Sequence, residues 1–188
     1  MKLLFIILTV LQSLLATLEQ KTLVSDCSLT IAEQQTQPIT YSGNLTMHGQ
    51  QFTLSMFAIE AAYDGNTLYM YSEDTEELTL STPSEEELIQ TNPFLYAQAL
   101  LPVCQYAEKT VGDKTQITLT PISPIADSPM PITKFVLRVL TDSLLPTAVE
   151  VHEDGGKITT LRLNNAQYTH ETPSFTIHKE GVFINDLR

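Results

Sequence analysis

The chain has no tryptophan and only two cysteines in 188 residues, and its 10 lysines and arginines face 22 aspartates and glutamates. Each shortage excludes something. A formal charge of −12 with no basic stripe argues against a nucleic-acid partner, because a phosphate backbone needs clustered Lys and Arg. Anionic membrane surfaces are disfavoured on the same ground. His48, His152, His170 and His178 stand far apart in sequence, none within ligand spacing of another or of a cysteine, so neither a metal site nor any cofactor is expected. No G-x-S-x-G elbow is present, and nothing in the sequence places a histidine base against Cys27 or Cys104. The pair Gly155-Gly156 sits in a predicted hairpin and not ahead of a helix, so it is no phosphate loop. The acidic run Glu85-Glu86-Glu87 reads as a helix start, where carboxylates meet the positive end of the helix dipole. The expectation is a protein that is not an enzyme.

What is present begins at the N-terminus. Lys2 precedes an apolar run from Leu3 to Val10 that continues weakly to Leu18. A positive start followed by a short apolar stretch reads as a secretory signal over residues 1–16, with cleavage after Ala16 and one domain over residues 17–188. The other reading of the same residues is an amphipathic first helix of the mature fold. Gln12 and Ser13 interrupt the run, which makes it a poor membrane span. Asp26 beside Cys27 departs from the small residues that lipidation requires, so a soluble exported protein is expected. In an oxidising compartment Cys27 and Cys104 either pair as a disulfide or remain two buried thiols.

The rest of the chain is patterned for strands, with apolar residues recurring every second position. Cys27, Leu29 and Ile31 alternate with polar neighbours, as do Leu45 and Met47, then Phe52, Leu54 and Met56. Asp64-Gly65-Asn66 and Asp154-Gly155-Gly156 are turn signals. Thr67 to Tyr71 reads as a strand, and Leu78 and Leu80 lie on the next one. At Ser84 the rhythm changes: Ser84 with Glu87 forms a predicted capping box, Asn92-Pro93 restarts the chain, and Phe94 to Leu101 reads as a short apolar helix. Strands return after Tyr106, broken by a proline-rich loop over residues 121–131, and Phe175 and Ile177 are expected to add a last one. Eight to eleven short strands with two or three helices favour a barrel or curled antiparallel sheet over a parallel α/β fold.

The order of several segments resembles that of the LolA-type carriers of outer-membrane lipoproteins. Gly43-Asn44-Leu45 with Gln51-Phe52 resembles the family's first hairpin, and Tyr63 to Tyr71 its DGKT strand. Leu78 to Pro83 and Thr91 to Phe94 resemble the Pro-containing helix start and the NP-aromatic segment. Thr118-Leu119-Thr120-Pro121 and the ending Val182 to Arg188 are similar to its L-T-P strand end and its EVIDLR-type tail. The resemblance implies an incomplete antiparallel β-barrel covered by a helical lid, with a cavity for acyl chains. It also implies a monomer in the periplasm. The implied partners are acylated lipoproteins, an inner-membrane lipoprotein-releasing transporter and an outer-membrane acceptor. Two departures stand out. A cut after Ala16 leaves little sequence for the first helix, and His48-Gly49-Gln50 lacks the arginine that some carriers place at that turn. A carrier or sensor of another envelope lipid and a ligand-free structural domain are the alternative readings.

The expected cavity lining follows the alternation. It comprises Leu45, Met47, Phe52, Leu54 and Met56 on the first strands, then Leu68, Met70, Leu78 and Leu80, and finally Phe135, Leu137 and Val149. Leu88, Phe94, Leu95 and Leu100 are expected on the underside of the lid. A slip of one residue would exchange the inward and outward sets of any strand.

Overall fold

The computed structural model describes residues 9–123 and 132–188. The first half of the expected leader and most of the proline-rich loop lie outside the described residues. A helix α1 (Val10–Leu18) is followed by six strands: β1 (Thr22–Ala32), β2 (Ile39–His48), β3 (Gln51–Met56), β4 (Ile59–Tyr63), β5 (Leu68–Ser72) and β6 (Glu77–Ser81). Helices α2 (Glu85–Thr91) and α3 (Pro93–Leu100) then lead to β7 (Cys104–Val111), β8 (Lys114–Pro121), β9 (Ile132–Leu140), β10 (Pro146–Glu153), β11 (Ile158–Thr169) and β12 (Phe183–Asp186).

All twelve strands join one sheet in the order β12-β6-β5-β4-β3-β2-β1-β11-β10-β9-β8-β7. Neighbours are antiparallel except β12, which runs parallel to β6. Among the described residues the two ends of the sheet do not pair, so the barrel is incomplete, as the resemblance implied. Curling brings distant strands into one core: Phe52 of β3, Leu23 of β1, Leu137 of β9 and Ile117 of β8 share a single buried cluster. The register shows how alternation builds this concave face. Tyr63 lies opposite Phe52, Phe52 opposite Met47, and Met47 opposite Leu23. Across the other half, Leu161 lies opposite Val149, Val149 opposite Leu137, and Leu137 opposite Ile117.

The turns behave as their sequences dictate. Asp64 Oδ1 accepts from the N–H of Asn66 at 2.9 Å and of Thr67 at 2.8 Å, which closes the β4–β5 hairpin as an Asx-type turn. Burial opposes ionisation of Asp64, yet these donors and the Tyr69 hydroxyl hold its carboxyl below the usual range. Gly155 and Gly156 take φ of 82° and 83° between β10 and β11, a region that residues with a Cβ rarely enter.

Residues 170–182 cross the outer face without strand structure. Phe175 and Ile177 are buried there, Ile177 in a second small cluster with Ala62, Tyr71 and Leu78. The strand expected at Phe175–Ile177 is therefore absent, and the chain's last strand is β12 instead. The described residues thus form twelve strands where eight to eleven were expected.

Also on the outer face, Arg138 Nη1 donates to Glu150 Oε1 at 2.5 Å, and His152 Nε2 lies 3.4 Å from Glu150 Oε2. Burial raises the Glu150 pKa, but Arg138 and His152 outweigh it and leave the carboxyl below its ordinary value. A carboxylate depressed in the folded state contributes stability above its unfolded pKa and loses it as pH falls through the folded one. Glu150→Gln is therefore expected to lower stability by roughly 1 kcal/mol at neutral pH. That deficit should shrink as pH falls from the ordinary carboxylate range through the lower folded pKa of Glu150. Urea titrations of both proteins across this range check it, and a deficit that persists in acid would assign the loss to packing.

Candidate functional site

The concave face is covered by helices at two places. At the first, α1 begins with a capping box in which Thr9 accepts from the Gln12 N–H and the Gln12 side chain accepts from the Thr9 N–H. Glu108, on the inward side of β7, accepts from the Val10 N–H at 2.9 Å, so a carboxylate meets the positive end of the helix. Tyr106 donates to the same carboxylate. At the far end the Gly49 N–H donates to the Leu18 carbonyl at 2.8 Å. Leu11, Leu14 and Leu18, on one helical stripe, are buried in the main core. Most of this helix therefore belongs to the residues that a cut after Ala16 would remove.

The second cover is the α2–α3 pair. Ser84 and Glu87 form the capping box that the sequence predicts. Asn92 ends α2 and starts α3: its Oδ1 accepts from the N–H of Phe94 at 3.0 Å and of Leu95 at 3.2 Å, and Pro93 fills the first helical position. That shared residue forces a bend, because Pro93 has no N–H to continue α2. Phe94, Ala97 and Leu100 point into the core. Tyr96 packs edge-on against Phe135, with ring centroids 5.9 Å apart.

Between this bent pair and the sheet lies a cleft of about 320 Å³. Leu29, Leu45, Leu54 and Met56 form one wall, and Val149, Val151, Thr159 and Leu161 the other. Gln90, Thr91, Pro93 and Tyr96 close it from the helices, with Glu153 and Lys157 at the β10–β11 end. The apolar side chains dominate. Burial, with Cys104 and Glu153 nearby, pushes the Tyr96 phenol up to about 12, so it stays protonated at neutral pH.

The sixteen residues expected at the cavity lie in several different places. Leu45, Leu54, Met56 and Val149 line the cleft. Met47, Phe52, Phe94, Leu100, Phe135 and Leu137 are core residues packed behind it, with Leu68 and Leu88 against the same cluster. Leu88 and Leu95 face a separate concavity of about 290 Å³ between α2 and α3. Leu78 and Leu80 lie elsewhere. Met70 pairs with Thr79, and Tyr71 with Leu78, so Leu78 and Leu80 are on the opposite face from Leu68 and Met70. They pack in the outer cluster, while Met70 is exposed.

Leu29, Val151 and Leu161 complete the lining and are absent from the expected set. Their alternation with Cys27, Val149 and Leu163 is visible in the sequence, but which inward residues stay uncovered depends on where the helices end.

Cys27 and Cys104 are both buried and free. Burial raises both thiols, with Asp26 adding to the effect at Cys27, which suppresses the reactive thiolate. Among the described residues no group of three His, Cys, Asp or Glu side chains could hold a metal ion, and no helix is long and apolar enough to cross a membrane.

No protein-family model matches the chain, and no curated protein matches it by sequence. Among solved structures, an uncharacterized conserved protein from Thermus thermophilus superposes with a TM-score of 0.61 at 8% identity. That match covers 94% of this chain and 96% of that one. A LolA superfamily protein from Nitrosomonas europaea is similar over 88% of this chain and 97% of its own, at 12% identity and a TM-score of 0.42. An outer membrane lipoprotein-sorting protein domain from Vibrio parahaemolyticus is similar over 87% and 92%, at 9% identity and a TM-score of 0.41. The first superposition establishes a shared fold. The other two are looser.

Proposed function

We propose that this protein is a non-enzymatic periplasmic carrier that shields acyl chains of lipoproteins between the inner and outer membranes. The observation that carries this reading is the apolar cleft under α2–α3. Leu29, Leu45, Leu54, Val149, Val151 and Leu161 present aliphatic surface to a space of about 320 Å³, on a sheet whose other interior is filled. At about 30 Å³ per water-sized group, a size close to that of a methylene, the space holds about ten such groups. Burial at about 0.8 kcal/mol per methylene would supply about 8 kcal/mol before the costs of ordering. The sequence resemblance to LolA-type carriers supports the same assignment. By that resemblance, an inner-membrane releasing transporter would load the carrier and an outer-membrane acceptor would empty it.

Export would depend on the apolar N-terminus. Cleavage after Ala16 would take the buried Leu11 and Leu14 out of the core, so the intact mass of exported protein decides whether they remain. The carrier reading is tested by native mass spectrometry of protein recovered from the periplasm without detergent, followed by titration with a synthetic acylated lipopeptide. A bound acylated species, displaced by that lipopeptide, is expected. A ligand-free protein that takes up neither the lipopeptide nor a fluorescent fatty acid would leave the structural-domain reading in its place.

A further inference from the structure

Two buried side-chain polar atoms have no hydrogen-bond partner among the described residues, Asn92 Nδ2 and the Tyr96 hydroxyl. Asn92 is committed to the start of α3 through its Oδ1 and is not part of the cleft lining. Tyr96 is. Its polar neighbours on that lining are engaged elsewhere. Thr91 donates to the Leu88 carbonyl at 3.0 Å, and Gln90 to Glu86 at 3.4 Å. Glu153 Oε1 holds Lys157 Nζ at 3.0 Å. The Tyr96 ring packs edge-on against the fully buried Phe135, so turning its hydroxyl out to solvent would give up that packing.

A buried hydroxyl without a partner is costly, and folded proteins rarely keep one. On the wall of an apolar cleft it calls for an acceptor that the ligand brings. An acyl chain has one by definition, the carbonyl oxygen of its ester or amide linkage, which accepts and cannot donate. We infer that the Tyr96 hydroxyl donates to the linkage carbonyl of an acyl chain held in the cleft, leaving the hydrocarbon to the aliphatic walls. The inference rests on the acyl-carrier reading and deepens it, because the site then recognises the linkage as well as the chain. Burial keeps the phenol protonated at neutral pH, so it remains a donor. The charge of Glu153 acts on the same phenol and favours a neutral carbonyl there over a free carboxylate. Since the hydroxyl gains its partner only with cargo, its removal should weaken the loaded state and spare the free protein.

The test uses two synthetic lipopeptides of equal chain length, one with ester-linked acyl chains and one with the same chains joined as alkyl ethers. Each is titrated calorimetrically, below its micelle concentration, into the full chain and into Tyr96→Phe. The unaltered protein is expected to bind the ester about tenfold tighter than the ether, the factor expected of one buried neutral hydrogen bond. In Tyr96→Phe that preference should fall to within about twofold through loss of ester affinity. The thermal midpoint of the ligand-free variant should be no lower than that of the unaltered protein. Infrared spectra of an isotope-labelled ester carbonyl bound to the unaltered protein give an answer that needs no variant: its stretch should move below its frequency in hydrocarbon solvent. An unshifted stretch, equal binding of ester and ether, or a preference that survives Tyr96→Phe would overturn the carbonyl contact and leave the carrier reading standing. A lower midpoint in the free variant would show that the hydroxyl already has a partner, and would overturn it too. Failure of both lipopeptides to bind would remove the carrier reading itself.

Discussion

Replacing Leu11 and Leu14 together with alanine is expected to leave the full chain largely unfolded at 37 °C. Both side chains are fully buried against a core built from both halves of the sheet. Each Leu→Ala change in such a place costs about 2–5 kcal/mol, through lost transfer energy and the cavity left behind. The two residues sit three apart on one helical stripe and share neighbours, so their effects couple and need not sum. Even the lower end of roughly 4 kcal/mol is most of the stability of a marginal domain. The α1 helix has only nine residues, too short to persist without its packed face. Once that face is gone, Glu108 and the Thr9 capping box are insufficient to hold it. The measurement is a urea midpoint for each single variant and the double, with Leu15→Ala, at a partly buried position of the same helix, as the milder control. A double variant within about 2 kcal/mol of the unaltered protein, less than one buried Leu→Ala change costs, would show that the sheet folds independently of α1.

How much of this is legible in the sequence varies by element. The α2–α3 segment is readable to within one residue at the ends of α3, because Ser84, Glu87, Asn92 and Pro93 carry local capping chemistry that does not depend on the rest of the fold. Strands β2 and β3 are readable because strict alternation fixes their phase. Strands β5 and β6 are not: Leu68, Met70, Leu78 and Leu80 all alternate, yet the hairpin register sets Met70 opposite Thr79 and sends the two pairs to opposite faces. Residues 170–182 then cover Leu78 from outside, through Ile177, a long-range contact with no local signature. Strand β12 escapes a sequence reading for a similar reason. Phe183 and Ile184 remain exposed, so no buried alternation marks them, and their pairing partner β6 lies far upstream in the chain. The N-terminus is ambiguous because an apolar leader and an apolar helical stripe have the same composition.

The second large effect is expected at Gly43, where valine should disrupt the sheet at the cleft itself. Gly43 lies in β2 opposite Cys27 on one side and Met56 on the other. A Cβ built there would stand 2.0 Å from the Ser55 carbonyl oxygen and 3.0 Å from Cα and Cβ of Met56. The obstacle is backbone, so no rotamer change relieves it. Strands β2 and β3 therefore approach more closely at this point than strands carrying side chains can, which is how a glycine lets a sheet bend sharply. Gly43→Val must push β3 away, and with it Met56, which lines the cleft. A loss above about 4 kcal/mol belongs to the rare class of backbone-displacing substitutions, and Gly43→Val is expected there, with Gly43→Ala somewhat less severe. The comparison is Gly112→Ala. No atom lies within 4 Å of a Cβ at that position, but its φ of +62° is unfavourable for alanine, so about 1 kcal/mol is expected from conformation alone. Thermal and urea unfolding of the three variants separates the two causes. If Gly43→Ala cost no more than Gly112→Ala, the close approach of β2 and β3 would not be needed for the curl. If Gly43→Ala folds, its cleft should bind the acylated lipopeptide more weakly even at temperatures where it is fully native. Because Met56 is the residue moved, the loss of stability and the loss of binding have one geometric origin.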